Sequence, residues 1–217
     1  MPRAKIPRKS TAVDMTAMCD VAFLLLSFFI LVARYKPVEA LNVTTPTSVS
    51  STNVPEKNVV LITIDKDAKV YFSVSEANVS EKKTIIGDIS TARGLNLTDA
   101  EMKNFYANPT AYIGVPFGYL KRLLDKDPEQ LKSVNMQGIP CKDSTDNELI
   151  YWVGAAVNAF RGAKMNLMVK GDQASKYPSF QGVLIAMKKN EQLKFQLVTD
   201  PVSAPPGSEL DKAQPAH

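Results

Sequence analysis

The sequence predicts an α+β protein with a single N-terminal transmembrane helix, a linker, and a small mixed β-sheet with helices packed on one face and a helical insert. Three observations support this prediction. Residues 15–33 are almost entirely apolar, residues 58–74 follow the two-residue period of β-strands, and the C-terminal third alternates helical with strand spacing. An amphipathic helix between two strands must bury its apolar stripe, so we expect the helices to cover one face of the sheet.

The first predicted element is a membrane helix over residues 13–35. The run from Met15 to Ala33 holds one charged residue and is close to the ~20 residues that a helix needs to cross the hydrocarbon core. That residue, Asp20, would cost roughly 2.5 to 3.5 kcal/mol near the middle of the membrane, so a carboxylate there normally faces a partner or a water-filled path. Thr16 and Ser27 lie four residues before and seven residues after it, on the same helix face.

This polar face predicts proton transfer across a membrane. Removal from water favours the protonated form of a carboxyl group and lets it exchange protons near neutral pH. We therefore expect Asp20 to be the proton-translocation residue. Thr16 and Ser27 would form the supporting polar face.

Residues 1–12 are predicted to be cytoplasmic. They contain four cations and no acid, and the positive-inside rule retains such a segment on the cytoplasmic side. Arg34 and Lys36, on the other side of the apolar run, reduce the charge difference across it. The cations lack the interleaved aromatic residues of a nucleic-acid patch, so no nucleic-acid partner is expected. A cleaved signal peptide with an apolar core over 21–33 is the competing interpretation. Leu31 is bulky where a cleavage site requires a small residue, which argues against it.

Two polar segments flank the predicted folded domain, residues 58–199. Residues 36–57 read as a flexible periplasmic linker, because three prolines and seven Ser or Thr fall within 37–57. At ~3.3 Å per residue, this stretch could reach roughly 70 Å. The tail over 200–217 is also polar and Pro-rich, and we expect it to be disordered.

The domain is predicted to begin with a β-hairpin that turns at Asp65-Lys66-Asp67. A helical insert over 75–144 follows, with a capping box at Thr98 and Glu101. Asp127-Pro128 is a second helix start, and Gly138 a stop. The predicted helices of the insert are 98–106, 117–125 and 128–136.

The rest of the domain predicts the order helix, strand, helix, strand. Thr145 and Glu148 form a second capping-box pattern, ahead of a helix that ends at Arg161-Gly162. A strand, a helix after Pro178 and a last strand ending near Leu197 complete the domain.

No enzyme, cofactor or metal site is expected from the sequence. The one His is residue 217, and the chain has no Gly-rich phosphate loop. Cys19 and Cys141 fall in different parts of the chain, so neither a disulfide nor a ligand cluster is predicted.

The sequence VDMTAMCDV at residues 13–21, with the apolar run that follows, resembles the transmembrane signature of the ExbD/TolR family. That signature reads roughly (I/V)-(N/D)-(M/V/L)-T-P-(L/M)-V-D-V. Asp20 corresponds to the family's membrane carboxylate and Thr16 to its Thr. Asp14 corresponds to the Asn or Asp six residues earlier, which makes Asp14 a secondary candidate. Two positions depart from the pattern without removing a titratable group: Ala17 replaces Pro and Cys19 replaces Val.

The resemblance continues near the end of the domain, at residues 170–172, 176–177 and 195–199, whereas residues 75–144 form a long insert relative to compact members. It implies a single-pass inner-membrane protein with a periplasmic domain that forms a homodimer. It also implies that the membrane helix lies inside a ring of ExbB/TolQ/MotA-type subunits and that the domain has a TonB-like periplasmic partner.

These features predict a proton-motive-force-driven motor subunit of the ExbD type, which couples proton flow at Asp20 to a TonB-type protein for outer-membrane transport. A TolR-like role in envelope maintenance is the nearest alternative. In a further alternative, the chain is a membrane-anchored periplasmic binding or scaffold domain whose helix starts at Val21. A helix that starts there is short for a membrane span. A flagellar-type stator would carry a large peptidoglycan-binding domain, which the sequence does not resemble.

Overall fold

The computed structural model forms two units, residues 1–37 and residues 38–217. The first unit contains helix α1, Met15–Val32, which confirms a helix within the predicted 13–35. The residues that the structure describes are 15–32, 41, 43–49, 55, 57–107, 112–126, 130, 134–143, 145–175 and 177–202.

The second unit is a mixed α+β domain, as predicted. Its strands are β1 Thr47–Ser48, β2 Val59–Ile64, β3 Val70–Val74, β4 Asn166–Gly171, β5 Gln196–Val198 and β6 Asp200–Pro201. Its helices are α2 Val79–Arg93, α3 Asp99–Ala107, α4 Phe117–Leu124, α5 Leu149–Ala159 and α6 Tyr177–Lys189.

The main sheet has four strands in the order β3-β2-β4-β5. The predicted hairpin is confirmed, because β2 and β3 are antiparallel with Ile62 opposite Phe72. Strands β2 and β4 are parallel with Ile62 opposite Val169, and β4 is parallel to β5. A separate pair, β1 and β6, is also parallel.

The hydrophobic core lies between the helices and the sheet face that carries Val60, Ile62 and Ile64. The insert contributes to this same core. Trp152 of α5 is fully buried, with its ring centroid 5.3 Å from that of Phe72 in β3 and 5.7 Å from that of Phe117 in α4. Aromatic contacts of this kind add about 0.5–1.5 kcal/mol beyond area burial, so they join the sheet, the insert and α5.

Helix α2 was not predicted from the sequence. Its inward side carries Lys82 at a fully buried position among isoleucines, which interrupts the apolar pattern. The side chain of the preceding Asn78 does not cap α2, because it bonds to Asn58 instead. Asn78 Oδ1 accepts from the Asn58 N–H at 2.8 Å, and Asn78 Nδ2 donates to Asn58 Oδ1 at 2.9 Å.

Two of the three predicted insert helices are confirmed as α3 and α4. The capping box at the start of α3 is present, since Thr98 N–H donates to Glu101 Oε2 at 2.7 Å and Glu101 N–H donates to Thr98 Oγ1 at 3.3 Å. The third predicted helix, 128–136, falls largely outside the described residues. Within it, Gln130 is helical and residues 134–136 are not.

The second predicted capping box, Thr145 with Glu148, is wrong. Thr145 donates both its N–H and its hydroxyl to Asp143 Oδ1, at 2.8 and 2.6 Å. Glu148 instead accepts a hydrogen bond, 2.7 Å long, from the N–H of Phe117, which is the first residue of α4. The carboxylate of Asp143 is a stronger acceptor than the pattern anticipated, so α5 begins at Leu149 without a side-chain cap.

Parts of the predicted linker and tail are bound to the domain. Within the predicted linker 36–57, residues 47–48 form β1, whose partner β6 begins at Asp200. Asp200 N–H donates to Pro46 O at 3.0 Å, and Val202 N–H donates to Ser48 O at 2.9 Å. Residues 200–202 of the predicted tail are thus bound to the domain, and residues 203–217 lie outside the described residues.

Candidate functional site

The polar face predicted for the membrane segment lies on one continuous helix. Thr16, Asp20 and Ser27 all belong to α1. At 3.6 residues per turn, they fall within about 40° of one another around the helix axis. Asp20 is the one charged side chain of α1. Asp14, the secondary candidate, lies outside the described residues.

Helix α1 is exposed along its length. No residue of the helix is buried, and its large apolar side chains range from 53% exposed at Leu25 to 85% exposed at Leu31. Among the described residues, it is the one helix long and apolar enough to cross a membrane. Because so much apolar surface is unstable in water, lipid or other subunits must cover it.

Ser27 differs from its neighbours on the helix. It is half-buried, and its hydroxyl donates to Phe23 O at 2.8 Å, one turn earlier. A hydroxyl has one donor hydrogen and two acceptor lone pairs, so Ser27 is left to accept rather than to donate. It can therefore receive a hydrogen bond from a water or a protonated carboxyl group on the Asp20 face.

Asp172 has a structural role that the sequence does not predict. Its carboxylate accepts the N–H of Ala174 at 2.8 Å and the N–H of Thr44 at 2.9 Å. These two N–H groups hold the pKa of the Asp172 carboxyl below its usual range. Gln173 N–H completes the attachment by donating to Thr44 O at 2.9 Å. The chain leaving the membrane helix is thus fastened to the domain at Thr44.

A cavity of about 360 Å³ lies beside this attachment. Pro46 from the attached segment forms one wall. The buried side chains of Ile64 and Val169 and the more exposed Phe180 and Leu197 line the rest. Its lining is largely apolar, so the attached segment covers part of the open end of the core.

The described residues contain no group of three or more His, Cys, Asp or Glu side chains placed to hold a metal ion. Two acidic side chains in turns, Asp65 and Asp143, have structural partners. Asp65 accepts from the Tyr71 hydroxyl at 3.0 Å and from the Lys69 N–H at 2.8 Å, and Asp143 binds Thr145.

The fold and this face define a class of protein: a membrane-anchored subunit with one carboxylate in its spanning helix and a small α+β domain. The family model described as biopolymer transport protein ExbD/TolR matches residues 7–202, and the chain belongs to this family. No curated protein and no solved structure matched the chain.

Membership of this family agrees with the architecture. ExbD/TolR proteins are single-pass inner-membrane proteins, and the apolar α1 fits that description. They are non-enzymatic subunits of biopolymer transport and energy transduction. The family implies association with ExbB/TolQ-type membrane partners and with TonB/TolA-type proteins. The match spans residues 75–144, so the insert lies within the family domain.

Proposed function

We propose that this protein is an ExbD-type motor subunit, in which proton exchange at Asp20 inside an ExbB-like ring drives work on a TonB-type periplasmic protein. The observation that carries the proposal is the placement of one carboxylate on an apolar helix none of whose residues is buried. Exposure of that carboxylate to lipid is unfavourable by roughly 2.5 to 3.5 kcal/mol, which a polar path in a partner would remove.

The chemistry at this face is a cycle of binding and release. The carboxyl group of Asp20 takes a proton from the side of higher proton concentration and becomes neutral. The neutral form tolerates an apolar surface better than the charged form, so protonation changes which surface of the ring the helix can face. Release on the other side restores the charge. Ser27, with its donor committed to Phe23, supports the path as an acceptor.

Work then passes to the periplasmic side through the chain that follows α1. The cations of residues 1–12 support a cytoplasmic N-terminus, so we expect residues from about 38 onward to lie in the periplasm. Among the described residues of that chain, the bond from Thr44 to Asp172 is an early attachment to the domain. Movement of the helix would reach the domain there, and the domain, as a homodimer, would act on the TonB-type partner.

The test is Asp20→Asn in a strain that lacks the native gene. Asn keeps the size of the side chain and removes titration, so the variant should insert and co-purify with the ExbB-like subunit while proton-gradient-dependent uptake falls to background. Cys19→Ala is the matched control, because it lies one residue away and about 100° around the helix, off the polar face. It should retain uptake.

Two further variants sharpen the result. Ser27→Ala should reduce uptake without abolishing it, since it removes an acceptor and no charge. Thr16→Ala should also give a partial loss. Normal uptake by Asp20→Asn would refute the proton-carrier role. Loss of ring binding together with uptake would assign Asp20 to assembly.

A TolR-like role would use the same membrane face, and the identity of the periplasmic partner separates the two. Capture of the full chain from energised membranes should recover a TonB-type protein. Recovery of a TolA-type protein, with envelope defects and normal uptake in the deletion strain, would favour the TolR-like role. If the chain were a scaffold, Asp20→Asn would change neither the captured periplasmic partner nor the uptake and envelope phenotypes.

A further inference from the structure

Strand β3 lies at one edge of the four-stranded sheet, yet three of its outer backbone groups are paired. Phe72 and Ile113 exchange two hydrogen bonds, each 2.8 Å long from nitrogen to oxygen. Ile139 N–H donates to Val70 O at 2.8 Å. Both Ile113 and Ile139 belong to the insert. An edge strand normally presents such groups to solvent, where another strand can add to them.

Two glycines allow the insert to lie this close to the strand. A Cβ at Gly114 would overlap the Tyr71 ring. Gly138 has φ +89°, and a Cβ there would lie 2.8 Å from Lys69 Cβ. Gly138 N–H also donates to Gly114 O at 2.7 Å, which joins the two insert segments. We call these segments, residues 113–114 and 138–139, the edge cap.

Without the edge cap, β3 would be a strong site for strand addition. Its sequence, Val-Tyr-Phe-Ser-Val, is rich in β-branched and aromatic residues and holds no charge and no proline. Uncharged segments of this composition pair readily with other strands when they are exposed. A second copy of the chain carries the same edge strand, so β3 of that copy is a matched partner for strand addition.

We propose that the insert acts as an intramolecular edge cap that prevents β3 from pairing with β3 of a second copy of this chain. The edge cap occupies backbone groups of β3 that such a pairing would use. It therefore restricts self-association to other surfaces of the domain. This role concerns assembly and is independent of proton transfer at Asp20.

The test compares three glycine variants of the full chain in detergent. Gly114→Ala and Gly138→Ala should lift the edge cap, because each new methyl group meets Tyr71 or Lys69. Gly118→Ala is the matched control in the same insert, since a Cβ there meets nothing within 4 Å. Amide hydrogen exchange at Phe72 and Ile139 reports whether the edge has opened, and sedimentation velocity at increasing concentration reports association.

With either cap variant, exchange at Phe72 should become about tenfold faster, the effect expected from the loss of one or two hydrogen bonds. Sedimentation should shift to larger species whose share grows with concentration, relative to Gly118→Ala. Fluorescence of Trp152, which contacts Phe72, should keep its native emission and so show that the core remains folded.

An opened edge without increased association would overturn the proposal. So would unchanged exchange in both cap variants, because the edge cap would then not depend on these glycines. If Gly114→Ala loses the native Trp152 emission, Gly138→Ala decides. Unfolding of both variants would make the segments part of the core rather than a separable cover, which also contradicts the proposal.

Discussion

A single methyl group added to helix α6 should destabilise the domain through a specific clash. Gly182 is buried where α6 crosses the segment that carries Cys141. A Cβ at this position would overlap the carbonyl oxygen of Cys141 and lie 2.9 Å from its Sγ. The same glycine accepts a hydrogen bond from Asn147 Nδ2 at 2.8 Å, so α6 cannot withdraw without losing that contact. Gly182→Ala therefore has no easy relaxation.

The magnitude follows from comparison with Gly87→Ala in α2. A Cβ at Gly87 meets nothing within 4 Å, so that variant should gain up to about 1 kcal/mol from the helix propensity of alanine. The gain is common to both helices, so the difference between the variants isolates the clash. Overpacking against a backbone atom costs about 1–3 kcal/mol. We expect Gly182→Ala to be less stable than Gly87→Ala by that amount.

The assay is urea unfolding of the full chain in detergent. Unfolding is monitored by the fluorescence of Trp152, the one tryptophan in the sequence. The two variants should differ in transition midpoint and share the slope of the transition, because the native surface is nearly the same. Equal midpoints would refute the close contact between α6 and Cys141. A changed slope would mean that the two variants differ in their unfolded states, and not only in the native contact with Cys141.

Three further predictions concern the domain and its topology. The bond from the Thr145 hydroxyl and the N–H groups of Asp146 and Thr145 lower the pKa of Asp143 to about 2. A lowered pKa gives stability that is present above the ordinary Asp value of about 4 and lost as the pH falls through about 2, so the Thr145 amide should shift near pH 2 in an NMR titration. A midpoint near pH 4 would contradict this. Burial raises the pKa of the Cys141 thiol to about 12, although a hydrogen bond from Asn147 acts in the opposite direction. In a Cys19→Ser chain, maleimide should therefore label Cys141 only after unfolding. Equal labelling of native and unfolded chains would show that Cys141 is accessible. Protease added to spheroplasts should degrade the domain and spare the membrane helix, whereas a mature protein without the apolar run would show that the run is a cleaved signal peptide.

The two capping-box patterns show what sequence reasoning can and cannot reach. Thr98 and Glu101 bind each other because nothing nearby competes. Thr145 and Glu148 have the same spacing, but Asp143 offers Thr145 a charged acceptor two residues away. Glu148 binds an amide 31 residues earlier in the chain. Local spacing therefore predicts a cap only when the tertiary fold brings no better partner.

The same limit explains which functional residues were predictable. The face that contains Asp20 follows from helix geometry alone, since residues 16, 20 and 27 are close in sequence. Asp172 and Thr44 are 128 residues apart, and no periodicity relates them. Helix α2 was missed for a related reason. Lys82 lies among isoleucines with its stem buried, a placement that only the folded core reveals.

The attachment of Thr44 to Asp172 gives the domain two tether lengths. With Thr44 bound, residues 37–43 have a maximum contour of roughly 23 Å, at ~3.3 Å per residue. With both Thr44 and strand β1 released, residues 37–57 reach roughly 70 Å. Because local concentration falls as about the −3/2 power of tether length, this threefold extension dilutes the domain about fivefold at any site near the membrane. Release of the Thr44–Asp172 bond together with the β1–β6 pairing would thus lower how often the domain meets membrane-proximal partners.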